Sequence, residues 1–194
     1  MTEPEARLAA LDKAYRDHAD DLYRIAFGIL RDADAAVDVT QVAFSRAFER
    51  WSQYDQRRPL LPWLHGIVVH VALDTLRRAR VRRVAVAGSA PVTGATSPDD
   101  LAGRIADRAA VDAALAELQP PARAAVLLHH LYGYDYAEIG RILGTGPGNV
   151  GSILTRANAR MRDLLTAGET SLGSPGAAAP RSMPEREVTD EPTT

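Results

Sequence analysis

Apolar side chains recur along the first third of the chain at the three- and four-residue spacing of one helix face. Leu22, Ile25, Ala26, Ile29 and Leu30 form one such stripe, and Thr40, Phe44, Ala47, Phe48 and Trp51 form a second. A third, Leu64, Ile67, Val68, Val71, Ala72 and Thr75, follows the proline-bounded segment Tyr54 to Pro62 and runs into a cluster of arginines. These stripes predict a helical first domain over residues 11–83. Between residues 84 and 106 the periodicity stops, and Gly88, Ser89, Pro91, Gly94, Ser97 and Pro98 give the composition of a linker. A second apolar block begins with Val111, Ala114, Leu115 and Leu118 and restarts after Pro120 and Pro121, which a first helical turn tolerates. It predicts a second helical domain over 107–165. Residues 166–194 are rich in Gly, Ala, Pro, Ser and Glu, too poor in apolar groups to offset their ordering entropy, and predict a disordered acidic tail. The expected fold class is therefore all-α, two small helical domains joined by a flexible linker.

Local signals sharpen the second block. Asp135 followed three residues on by Glu138 has the character of a capping box, so a helix should start there. Ile139, Ile142 and Leu143 give that helix a buried edge, and Gly144 can take the left-handed conformation that ends it. The chain restarts at Pro147, and Val150, Ile153, Leu154, Ala157, Met161 and Leu164 stripe a longer helix. Two helices joined by a short glycine turn, with Gly140 allowing their close approach, resemble a helix-turn-helix, whose second helix enters the major groove of DNA. On its opposite face Asn149, Ser152, Thr155, Arg156 and Arg160 are the candidates for base and phosphate contact.

Composition changes this picture in two places. The 194 residues are 46% hydrophobic and contain no cysteine, which suits a folded protein without disulfides or thiolate metal sites. The N-terminus is too polar for a signal peptide and no apolar run is long enough to span a bilayer, so the expected setting is cytoplasmic, without membrane insertion. The net charge of -2 argues against nucleic-acid binding until it is resolved along the chain. Residues 11–83 carry 13 basic against 10 acidic side chains, and the last 29 residues carry 2 against 5. Five arginines, Arg77, Arg78, Arg80, Arg82 and Arg83, fall within seven residues and would repel one another without an anion.

The two blocks together resemble the conserved regions of extracytoplasmic-function sigma factors, a subfamily of the sigma-70 family of RNA polymerase subunits. In the first block the matching runs are Leu22 to Ala26, Asp38 to Gln41 with Phe44, Trp63-Leu64, Ala72 to Asp74 and Leu76 to Arg78. In the second they are Leu118 to Pro121, Tyr136 to Ile139, Leu143-Gly144, Val150, Ser152 and Arg156-Ala157. The resemblance implies an alternative-type sigma factor that binds core polymerase, recognises the minus-ten and minus-thirty-five promoter elements and promotes melting. It places Asp38, Gln41, Val42 and Ser45 on the polymerase-docking face of the second helix, opposite Phe44, Phe48 and Trp51. It assigns Tyr54, Arg57, Arg58, Trp63, His70, Asp74, Arg77 and Arg78 to the minus-ten element, with the segment Tyr54 to Arg58 capturing an extruded base. An anti-sigma factor is a further implied partner. Three departures stand out. Val37 and Val42 replace usual acidic residues, implying a more apolar dock; His70 stands where Asn is common; and Gly151 and Ile153 replace basic residues, implying weak or altered reading of the minus-thirty-five element.

No catalytic site is expected. His129 and His130 are adjacent, about 100° apart on a helix, and cannot share a metal as an i, i+4 pair would. The sequence has no glycine-rich phosphate loop and no zinc-protease motif, so neither cofactor nor metal is expected. The rival reading is a helix-turn-helix regulator that binds duplex DNA without acting as a sigma subunit; it leaves the Asp38 stripe and the arginine cluster without a role.

Overall fold

The computed structural model describes residues 3–85 and 102–172. Among them it has seven α-helices and no strand: α1 (Glu3–Leu30), α2 (Ala33–Glu49), α3 (Leu60–Ala85), α4 (Ala102–Ala116), α5 (Pro120–Tyr132), α6 (Tyr136–Leu143) and α7 (Pro147–Leu172). A single 3₁₀ turn, Trp51–Gln53, follows α2. Helix thus enters both ends of the linker segment 84–106, and residues 86–101 lie outside the described residues. Helix α7 likewise continues past Thr166; the rest of the expected tail is outside the description.

In the first half α1, α2 and α3 pack pairwise. Helix α1 ends at Arg31, whose φ of 59° puts a non-glycine residue in the left-handed region, a conformation that costs ~1 kcal/mol. The chain then turns at once into α2, where the Asp32 carboxylate accepts from the Ala35 N–H at 2.9 Å and caps the new helix. The buried face of α2 is Ala36, Val39, Thr40, Ala43 and Ala47; Phe44 and Trp51 pack against the core at its edge as expected, and the expected packing of Phe48 is corrected. Small residues face the neighbouring helices because they let the backbones approach. Phe48 is left 44% exposed under the Arg7 guanidinium, 4.0 Å from its ring centre, and Phe44 meets Tyr15 edge-on at 4.9 Å.

In the second half α7 packs against α4, α5 and α6. Asp135 and Glu138 form the full capping box, and Gly144 ends α6 with φ 67°. A Cβ at Gly140 would stand 2.6 Å from the Thr145 carbonyl oxygen, so only glycine lets the turn fold back so tightly. Val150, Leu154 and Ala157 are buried, with Ile153 and Met161 packed against the core. Val111, placed on the apolar stripe by spacing, is 39% exposed.

The two halves do not stand apart: one continuous hydrophobic core runs through both. The first half of helix α3 is buried on most sides. Leu64, Ile67, Val68, Val71 and Ala72 fill its expected stripe, and His65 and Val69 are buried as well. The His65 ring meets Tyr132 at 4.4 Å and Tyr134 at 5.8 Å, and its Nδ1 hydrogen-bonds the Tyr134 hydroxyl at 2.9 Å. A Cβ at Gly28 would lie 2.6 Å from Leu127 Cδ1, so α1 and α5 meet through a glycine-sized gap. Arg31 pairs with Asp112 at 2.9 Å, both side chains largely shielded, and the Tyr132 hydroxyl donates to the Asp21 carbonyl at 3.2 Å.

Arg123 holds this junction. It is 7% exposed, and its guanidinium donates to the carbonyls of Leu115, Ala116 and Leu118 at 2.8, 2.8 and 3.0 Å, and to the Ile29 carbonyl. Three of these acceptors lie in the last turns of α1 and α4, where helical carbonyls have no intrahelical partner and the dipole favours a cation. One forked side chain therefore closes two helix ends from opposite halves. Burial, with the nearby charge of Arg31, lowers its pKa from 12.5 to about 10, which leaves it charged at neutral pH.

Candidate polymerase and nucleic-acid interfaces

The expected docking stripe lies uncovered on α2. Asp38, Gln41, Val42 and Ser45 are all exposed, with Val37 and Val42 at 45% and 42% exposure adding apolar surface beside them. The capped start of α2 and its small-residue inner face fix this helix with its outer face free. Asp38 and Val42 also border a groove shared with Val71, Thr75 and Arg78 of α3. Arg78 is thereby brought to the α2 side of α3 and away from His70.

The minus-ten candidates divide. Tyr54, Arg58, Trp63 and His70 line one cleft of about 730 Å³, with Arg46 and Arg50 from the end of α2. Its aromatic wall is Tyr54 and Trp63, with rings 5.1 Å apart, and Trp51 backs the pair at 5.3 Å from Tyr54 and 6.2 Å from Trp63. The Tyr54 hydroxyl donates to the Arg58 carbonyl, which fixes the loop that carries both. Such a wall offers stacking surface for an unpaired base and guanidinium groups for its phosphate. Arg57 is not part of the lining; its backbone N–H bonds the Asp55 carboxylate at 3.1 Å and its side chain is exposed. Asp74 and Arg77 pair with each other at 2.6 Å further along α3. Arg78, Arg80 and Arg82 are exposed, and the Arg83 side chain lies outside the description.

The far wall of the cleft comes from the second half: Tyr134, Glu138, Arg141 and Ile142. No periodicity argument finds these, because they join the site only through the packing of the two halves. His65, Tyr132 and Arg123 were missed for the same reason. The available signal was a histidine and an arginine inside the apolar runs Leu64–Val69 and Ala122–Leu128, where a charge-bearing group needs a specific partner.

On α7 the reading candidates Asn149, Ser152, Thr155, Arg156 and Arg160 are exposed. Three of them hydrogen-bond within the helix-turn-helix: Asn149 to the Thr145 hydroxyl at 2.8 Å, and Ser152 and Thr155 to the Gly148 and Gly151 carbonyls at 3.1 and 2.9 Å. Arg156 Nε reaches the Ser152 carbonyl at 3.2 Å, and Arg160 lies 3.9 Å from Glu117, just past the end of α4. Ile153 packs against the core, so this position contributes to folding and not to a DNA-facing surface.

His129 and His130 do not converge on a common ligand. His129 Nδ1 bonds the Tyr134 carbonyl at 2.9 Å and His130 Nε2 faces Asn158 at 3.2 Å. Among the described residues no three His, Cys, Asp or Glu side chains cluster as metal ligands, and no helix is long and apolar enough to cross a membrane.

Comparison with known proteins matches each half to a family model. A Sigma-70 region 2 family model matches residues 14–82, and a Sigma-70 region 4 model matches residues 108–161. The ECF RNA polymerase sigma factor SigM of Mycobacterium tuberculosis is 33% identical over 156 residues, 80% of this chain and 77% of the relative. The chain belongs to the extracytoplasmic-function sigma factors. SigE of Mycolicibacterium smegmatis is 35% identical over 167 residues, and the match spans 84% of this chain and 65% of that relative. Among solved structures, the sigma factor RpoE of Bartonella quintana in complex with the anti-sigma factor NepR has a TM-score of 0.69 at 22% identity, covering 80% of this chain and 96% of that one. CnrH in complex with the cytosolic domain of CnrY gives a TM-score of 0.60 at 22% identity, covering 82% and 90%. These two establish a shared fold.

Proposed function

We infer that this sigma factor binds core RNA polymerase through α2, captures the melted minus-ten strand in the cleft at the corner of α2 and α3, and presents α7 to the minus-thirty-five element. The observation that carries this reading is the aromatic and guanidinium cleft in the same chain as a fully capped helix-turn-helix. A protein that binds only duplex DNA has no use for a stacking wall; a melting protein needs a site for the released base. Catalysis of promoter opening here is binding energy alone, and the chain acts as a regulatory subunit where polymerase resides, inside the cell. Asp38 and Gln41 supply polar contacts on the docking face, with Val37 and Val42 replacing charge by apolar area. Tyr54 and Trp63 stack, and Arg46, Arg50 and Arg58 neutralise phosphate. The complex of RpoE with NepR supports an anti-sigma protein as a further partner class.

Reading of the minus-thirty-five element should be weak. Gly151 and Ile153 bring no cation to α7, and only Arg156 stands clear of an acidic neighbour among the two arginine candidates.

Transcription in vitro with purified core polymerase tests the reading. The chain should confer promoter-specific initiation, Asp38→Arg should weaken polymerase binding at least tenfold, and Trp63→Ala should leave polymerase binding intact while removing strand opening. Failure of the unaltered chain to bind core polymerase would overturn it.

A further inference from the structure

The junction between the halves is built to close, and its closed form is at odds with the DNA-reading task. A compact body of the described size is roughly 40 Å across, whereas elements centred about 25 base pairs apart are separated by about 85 Å of duplex at ~3.4 Å per pair. On the promoter-reading function inferred above, one packed body cannot engage both elements, so the halves must part.

His65 sits where they part. It belongs to α3 of the first half, yet it is 1% exposed because Tyr132 and Tyr134 of the second half cover its ring. Its Nδ1 shares a hydrogen bond with the Tyr134 hydroxyl, and its Nε2 is buried without a hydrogen-bond partner. Only a neutral ring suits these surroundings. A protonated one must donate from both nitrogens, so the Tyr134 hydroxyl could no longer donate to Nδ1, and a charged N–H would remain dry at Nε2. The charged groups near it do not supply an acceptor. From α1, Asp21 favours the protonated ring and His18 opposes it; from the second half come the two tyrosines, with Glu138 of α6 acting on Tyr134.

We propose that His65 is an acid-sensitive pin of this junction: neutral, it holds the two halves together, and its protonation releases them. Parting the halves uncovers the ring and returns it to water, so protonation and opening favour each other. In the closed form burial lowers its pKa from 6.5 to about 4. The sign follows: the pin's contribution to closure is complete above the open-state value and is lost as pH falls from there towards the closed-state value. Taking 6.5 for the open state, the open-to-closed ratio rises on the order of tenfold between pH 7.5 and 5.5.

The chain contains no cysteine, so Ala33→Cys and Ala159→Cys, both exposed and in opposite halves, can carry a donor and an acceptor dye on the full-length protein. Energy transfer between them, measured without polymerase or DNA, should fall between pH 7.5 and 5.5 while helical circular dichroism stays constant. With His65→Asn, whose amide reaches the position of Nδ1 but does not titrate, the pH dependence should vanish. As a second variant that leaves the core untouched, Asp21→Asn removes the charge that favours the protonated ring in the closed form, so the response should keep its onset and continue to lower pH before it levels off. The proposal is overturned by a flat response in the unaltered chain, by the same response in His65→Asn, by a response that levels off at higher pH in Asp21→Asn, or by loss of helix in step with loss of transfer. Because no transcription enters the readout, failure to bind polymerase would remove the inferred function without touching this result.

Discussion

Replacing Arg123 by methionine tests whether one guanidinium holds the junction. Four hydrogen bonds from a charged donor, at ~1.5 kcal/mol each, contribute about 6 kcal/mol. Against this stands the cost of burying the charge: a pKa lowered from 12.5 to about 10 corresponds to roughly 3 kcal/mol at ~1.4 kcal/mol per pH unit. The difference, about 3 kcal/mol, is what Arg123→Met should remove, since methionine fills the stem but takes the guanidinium donors away from the Ile29 and Ala116 carbonyls at the ends of α1 and α4. In equilibrium urea unfolding followed by circular dichroism, the folding constant should fall by about two orders of magnitude. Arg123→Lys should recover only a part, because a single ammonium cannot reach four carbonyls fanned across two helix ends. A loss below about 1 kcal/mol would mean that water satisfies those carbonyls as well as the guanidinium does, and the argument for a clamp would fail.

Gly28→Val should destabilise by ~1–3 kcal/mol through overlap with Leu127, and adding Leu127→Ala should return part of that loss in a double-mutant cycle; strict additivity would refute the contact. Gly151→Ala places its Cβ at ordinary contact distance, 3.5 Å, from the Tyr136 ring, so it should raise the thermal midpoint through a gain of up to ~1 kcal/mol in helix stability. Asp135→Ala removes one arm of the capping box on α6 and should cost about 1 kcal/mol, read as faster hydrogen exchange at the Glu138 amide.

Much of the fold is legible because its rules are local. The box at Asp135 and Glu138, the left-handed Gly144 and the proline starts of α5 and α7 each follow from a few neighbouring residues, and the structure has them as the sequence implies. The inner face of α2 was less legible. Large aromatic side chains mark a stripe strongly, yet the tightest contact is made by Ala36, Ala43 and Ala47, whose small size carries little periodic signal. Least legible was the junction of the halves. Gly28, His65 and Arg123 acquire their roles from partners 69 to 99 positions away, as with His65 and Tyr134 or Arg123 and Ile29, and no spacing rule reaches that far. The division of the DNA candidates has the same origin: Tyr54, Arg58, Trp63 and His70 converge because a loop folds onto the start of α3, while Arg78 rotates with its helix towards α2.

The contact of Gly28 with Leu127 bears on how freely the parts of such a chain can be exchanged. Sigma factors of this kind read as modular, one half for polymerase and one for the helix-turn-helix, which invites hybrids joined within the connecting segment. Here each half carries an impression of the other: a missing side chain on α1 receives a leucine of α5, and an open carbonyl at Ile29 awaits an arginine. A hybrid that takes its second half from a relative inherits the sockets without the matching plugs. It can still fold piecewise and read DNA, but it loses the fitted closure that makes this chain a single body.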